Sequence, residues 1–144
     1  MNLSEHFTLE ELTASDTAVR LGIDNRAPVQ VVNNLKRLCA LLEDVRHAVG
    51  KPIRISSGYR CQKVNQAVGS KDTSQHLLGC AADIKVDGVT PDELMKTVIG
   101  AGIKFDQIIR EFDSWCHISV PNTPEDKPRH SMLIIDHSGT RPYV

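Results

Sequence analysis

Phe105-Asp106-Gln107-Ile108-Ile109-Arg110-Glu111-Phe112-Asp113-Ser114-Trp115-Cys116-His117-Ile118-Ser119-Val120 holds two short apolar stretches, 105–110 and 115–120, on either side of a brief link. Each is too short for an ordinary helix and rich in β-branched and aromatic residues, so each predicts a strand. A link this short returns the chain only antiparallel, so the pair predicts a β-hairpin. Beyond it, Pro121–Arg129 carries three prolines and reads as a loop, and Ser131–Asp136 reads as a third strand. Before it, Thr90-Pro91-Asp92-Glu93 opens a helix with a capping box, proline in the first turn and early acids. That helix ends at Gly100 and Gly102. Ala82–Val86 precedes it as a strand, closed by the turn Asp87-Gly88.

Further out, Lys71–Gly79 lacks periodicity and reads as a loop, and Cys61–Val68 as a helix stopped by Gly69. Ile53-Arg54-Ile55-Ser56 alternates apolar and polar side chains, a strand that Gly58 breaks. Val32, Leu35, Leu38, Leu42, Val45 and Val49 recur every three or four residues, one apolar face of a helix with Pro28 at its first position and Gly50 and Pro52 at its end. Thr8-Leu9-Glu10-Glu11 is a capping box for a short helix that stops near Ser15, and Leu21–Ala27 reads as a loop. Helices, strand, helix, strand, helix and then strands predict an α+β fold with helices packed on a small, mostly antiparallel sheet.

The chain of 144 residues has the size of one domain, so 1–144 is expected to fold as a single unit. A net charge of -1 gives no electrostatic reason to expect nucleic acid. No apolar run approaches the roughly 18–20 residues of a membrane span, the start Met1-Asn2-Leu3-Ser4-Glu5-His6 lacks a signal-peptide pattern, and nothing requires an oligomer, so a monomer is the default. The cysteines Cys39, Cys61, Cys80 and Cys116 form no C-x-x-C pair and read as reduced, buried small hydrophobes, with a thiol ligand as the alternative for Cys80 or Cys116.

Two segments could carry chemistry. In Ser74-Gln75-His76-Leu77-Leu78-Gly79-Cys80-Ala81-Ala82-Asp83 a loop histidine precedes a strand aspartate across small residues, and His117 lies within Trp115–Val120. Two imidazoles and a carboxylate are common zinc ligands, and three of them leave a tetrahedral position for water. The same residues also fit a loop histidine, a strand-end cap and a packed strand residue. Spacing alone leaves both readings open. His6 and His47 are structural by default, while His130 and His137 flank the last strand, within reach of a site if the preceding loop folds back.

The run Ser56-Ser57-Gly58-Tyr59-Arg60, then Asn65, Val68 and Gly69, then Ser74–Asp83, and finally Trp115-Cys116-His117, resembles the M15 family of zinc peptidases. These are D-alanyl-D-alanine carboxypeptidases and phage endolysin L-alanyl-D-glutamate endopeptidases. The opening Leu3–Thr8 and Gly22-Ile23-Asp24-Asn25 are similar to its short, single-domain branch, so the likeness reaches about Val120. The resemblance implies one zinc ion on His76, Asp83 and His117, in a fold shared with hedgehog signalling domains. It implies that Arg60 binds substrate or polarises the scissile carbonyl, and that Ser74 gives a hydrogen bond near the substrate or holds the loop. Many members carry an acid three residues before the last histidine, but here that residue is Ser114. Glu111 is then the expected general base, opposite the start of the second hairpin strand, with Asp113 as the alternative. The implied substrate is a peptidoglycan stem peptide. The implied setting is that of a phage or prophage lysin, cytoplasmic until released to the wall. A non-catalytic zinc-containing binding module of the same fold is the rival expectation.

Overall fold

The computed structural model describes residues 1–144. Two short helices, α1 (Leu9–Thr13) and α2 (Asp16–Leu21), lead into the long α3 (Val29–Val49). β1 (Arg54–Ser57), α4 (Gln62–Ala67), β2 (Ala81–Lys85) and α5 (Pro91–Gly100) follow. The chain closes with β3 (Gln107–Glu111), β4 (Trp115–Ser119), β5 (Ser131–Asp136) and β6 (Gly139–Pro142). The strands form one six-stranded sheet in the order β1-β2-β4-β3-β5-β6. All neighbours are antiparallel except β3 and β5, which run parallel. This is the α+β architecture read from the sequence.

The apolar stripe of α3 and the inner face of α5 bury themselves against one side of the sheet. Leu35, Leu38, Leu42 and Val45 from α3, with Leu94, Met95 and Val98 from α5, meet Ile84, Ile108, Cys116 and Ile118 in one cluster of 23 buried residues. Side chains alternate along a strand, so the residues between these point to the opposite face. Paired across the sheet there are Asp83 with His117, His117 with Ile109, and Glu111 with Trp115. One face is thus core, and the other carries Asp83, His117 and Glu111.

The capping boxes at Thr8 and Thr90 form, with Glu11 and Glu93 as their reciprocal partners. Several local details differ from the sequence reading. Ser15 begins a second helix, its hydroxyl accepting the Ala18 N–H at 3.1 Å. Pro28 sits one residue before the helix, with extended ψ of 164° and no side-chain cap. Within the expected loop, Gln75–Leu78 forms a 3-10 turn, too short to show a period. Gly79 ends the turn with φ +75°, where a Cβ would lie 2.8 Å from Val31 Cγ1. β6 has four exposed residues and no apolar alternation. Its pairing with β5 and the 2.8 Å Arg141–Asp136 ion pair hold it. No helix is long and apolar enough to cross a membrane.

Candidate metal centre

Three elements bring the candidate ligands together. His76 rides on the 3-10 turn Gln75–Leu78, capped by Ser74, whose hydroxyl accepts the His76 N–H at 3.2 Å. Asp83 is the middle residue of β2, deeper in the strand than expected, and His117 is its register partner on β4. All three are buried. Asp83 Oδ1 lies 3.3 Å from His76 Nε2 and 3.2 Å from His117 Nδ1, and the donor atoms of all three lie within 4.8 Å of one another. His130 and His137 are elsewhere, against Phe105 and Phe112 respectively.

The donor set fits a metal ion. Ligand atoms of a tetrahedral zinc at about 2.0–2.2 Å are separated by roughly 3.3–3.6 Å, close to the two spacings around Asp83. Proton placement points the same way. His76 Nδ1 is 2.7 Å from the Gly58 carbonyl oxygen. That oxygen only accepts, so Nδ1 carries the proton and a neutral ring turns the lone pair of Nε2 toward Asp83. Two acceptors at 3.3 Å require a cation between them, either a proton or a metal. The Gly58 carbonyl also fixes tautomer and ring orientation, a usual outer partner of a metal-binding histidine. Burial alone would raise the Asp83 pKa. A proton shared with His117 or His76 outweighs it and holds the carboxylate well below its usual range.

Arg60 is tied into the same frame through its backbone. Its N–H donates to the His76 carbonyl at 3.1 Å, beside the rung from His76 Nδ1 to Gly58. Asn25 holds both flanks: its amide donates to the Tyr59 carbonyl at 3.1 Å and its oxygen accepts the Cys61 N–H at 2.8 Å. Locally Asn25 reads as a turn residue, whereas it is buried and bridges two segments. The Arg60 guanidinium forms no ion pair. Its contact to Ser74 Oγ is a long 3.5 Å, and its buried Nε has no partner. Burial pulls its pKa down, against the carboxylates of Asp83 and Glu111. A half-buried cation without a counter-ion is prepared for an anionic or strongly polar ligand.

Glu111 ends β3 opposite Trp115, half-buried on the same face as His117. Burial raises its pKa first and the Asp83 carboxylate second, opposed by His117, the Trp115 indole and Arg60. The indole N–H makes no hydrogen bond of standard geometry and is buried without a partner. A carboxylate raised in this way is a stronger base than an exposed one. Asp113 is placed differently: it is exposed, and its carboxylate lies 3.1 Å from Nε of Arg110, whose side chain alternates to the core side of β3. Cys80 and Cys116 are buried and free and contribute no donor to the metal cluster.

The hairpin, the histidine–aspartate pair on adjoining elements and the Gly58–Arg60 frame all lie within residues 5–119, the segment matched by the family model described as peptidase M15. A search of curated proteins gives no match. With the match covering most of the chain and enclosing every residue of the cluster, the protein belongs to the peptidase M15 family.

Proposed function

We propose that the protein is a zinc-dependent peptidase that hydrolyses a peptide bond in stem peptides of the bacterial cell wall. His76, Asp83 and His117 would hold the zinc, Glu111 would act as general base, and Arg60 and Ser74 would hold the substrate. The observation that carries the reading is the convergence of two imidazole nitrogens on one Asp83 oxygen. Glu111 stands close enough to feel the charges of Asp83 and His117. Zinc, when bound, polarises a carbonyl and brings the pKa of water to about 7.

The rest is work for this chain's residues. Gly58 holds the His76 ring through Nδ1 and so keeps Nε2 turned inward. Glu111 takes a proton from the attacking water on its carboxylate and returns it to the leaving amine nitrogen. Arg60 donates to the carbonyl oxygen as negative charge grows there, or to a carboxylate of the peptide. Ser74 already caps the turn of His76, and its hydroxyl also adjoins Arg60, so it contributes by shaping the pocket as well as by any bond to substrate.

The second reading, a zinc-containing binding module without activity, rests on Ser114, which stands where many relatives have an acid. One experiment separates them. Purified peptidoglycan is incubated with the zinc-loaded protein, and new amino groups are counted with and without chelator, with mass spectrometry of the fragments identifying the bond. Chelator-sensitive release supports the peptidase, while binding without release supports the module. Glu111→Gln is expected to lower hydrolysis by about 10²–10⁴-fold while keeping one zinc per chain. Full activity in that variant would remove Glu111 from the role of base.

A further inference from the structure

A cleft of about 470 Å³ opens beside His117, and its walls carry two cations, Lys71 and Arg129, and no carboxylate. In a chain with net charge -1 such one-signed lining is a local feature, not a reflection of composition. Arg129 lies beyond the segment matched to the family, so the residues after 119 complete a wall of this cleft.

Both cations stand on built supports. Asn65 is fully buried inside α4 and its following loop, and its side-chain amide donates to the Lys71 carbonyl at 3.0 Å. The Ser74 N–H donates to that same oxygen at 3.0 Å. A buried asparagine is costly unless its hydrogen bonds are used, and this one is used to fix the backbone that presents Lys71. Arg129 is fixed from the other side. Its Nε and Nη2 reach the buried Asp106 carboxylate at 3.0 and 2.7 Å, and its own N–H reaches it at 3.1 Å. Gln75, the neighbour of His76, donates to the same carboxylate at 3.2 Å. Nη1 of Arg129 stays unpaired, and Lys71 forms no ion pair.

We propose that Lys71, with the free edge of Arg129, forms a subsite for a second carboxylate of the peptide substrate, apart from the group that Arg60 would take. The proposal rests on the peptidase reading and adds a specificity determinant to it: a cation in the cleft wall that favours a peptide with a free carboxylate over its neutral amide. Lys71 is then a specificity residue, acting on binding and not on the chemical step.

The test compares a soluble stem peptide whose D-glutamate carboxylate is free with the same peptide amidated there. Kinetics and calorimetric titration are run on zinc-loaded wild type, Lys71→Met and Lys71→Arg. Lys71→Met is expected to raise KM and Kd for the free acid about three- to fivefold, the scale of a partly exposed ion pair. It should leave kcat and the amidated peptide unchanged, and Lys71→Arg should restore most of the loss. An equal loss for both peptides, or none for either, overturns the subsite. A wild type that binds the acid no better than the amide also overturns it, with peptidase activity untouched. If no amino group is released from either peptide, the peptidase reading falls, and the titrations still decide the subsite.

Discussion

Gly58→Ala tests how the metal centre is held, because the reason for glycine there is space. A Cβ at residue 58 would stand 2.3 Å from the Leu12 carbonyl oxygen, 3.0 Å from its carbon and 3.1 Å from its Cα. All three are backbone atoms, so no rotamer change relieves the contact. α1 or the segment after β1 must move by about 1 Å to restore van der Waals separation. Two bonds lie in the path of that movement. The Tyr59 N–H donates to the same Leu12 carbonyl at 2.7 Å, and the Gly58 carbonyl accepts from His76 Nδ1 at 2.7 Å. Overpacking costs about 1–3 kcal/mol and a weakened hydrogen bond about 1 kcal/mol. The sum is roughly 2–4 kcal/mol, a large part of a typical ~5–15 kcal/mol stability.

For a chain of this size that is a fall in Tm of roughly 5–15 °C. Misplacing the outer partner of His76 should also weaken zinc about 10–100-fold. Thermal unfolding of the metal-free protein reads the first effect, and zinc competition against a chromophoric chelator reads the second. Gly100→Ala is the control. It closes α5 without a positive φ, and a Cβ added there would meet nothing within 4 Å, so the substitution should gain about 0.4–1 kcal/mol. A Gly58→Ala protein within about 2 °C of wild type (on the ~2–4 °C per kcal/mol scale) and with unchanged zinc affinity would refute this account of the motif glycine.

Two further expectations follow from the same geometry. His76→Ala should lose stoichiometric zinc by metal analysis while folding normally by circular dichroism, and full zinc content would remove His76 from the ligand set. Asp106 gives a pH signature: burial would raise its pKa, but Arg129 and Gln75 together hold it lowered. A lowered folded pKa stabilises fully above the unfolded value of about 3.9 and is lost as pH falls through the folded value. Denaturant titrations from about pH 7 down to about pH 2, which cover the onset of that loss just below the unfolded value, should show stability falling with acid less steeply in Asp106→Asn than in wild type; identical slopes would deny Asp106 that role.

The helix α3, the hairpin β3–β4 and the capping boxes were legible because each is specified within its own segment, by a 3.6-residue period, by two apolar runs on a short link, or by paired side chains three apart. What stayed hidden is specified between segments. Ser15 caps α2, yet to a local reading it also closes α1. β6 is defined by its pairing with the edge of β5, a partner that nothing within Gly139–Pro142 announces.

The candidate site divides along the same line. His76, Asp83 and His117 were visible as residue types on a motif, but the supports that give them geometry were not. Asn25 looks like any turn asparagine until its amide and oxygen are found gripping Tyr59 and Cys61 on both sides of Arg60. Gln75 is an ordinary neighbour of a histidine until it meets Asp106, 31 positions away, on the carboxylate that holds Arg129. Such long-range hydrogen bonds leave no period or spacing in one sequence. They explain why the turn of His76, the start of β3 and the loop after β4 should respond together to a change at Asp106. A substitution there disturbs the wall of the cleft without touching a ligand, so the effect belongs in substrate binding first and in zinc content only later.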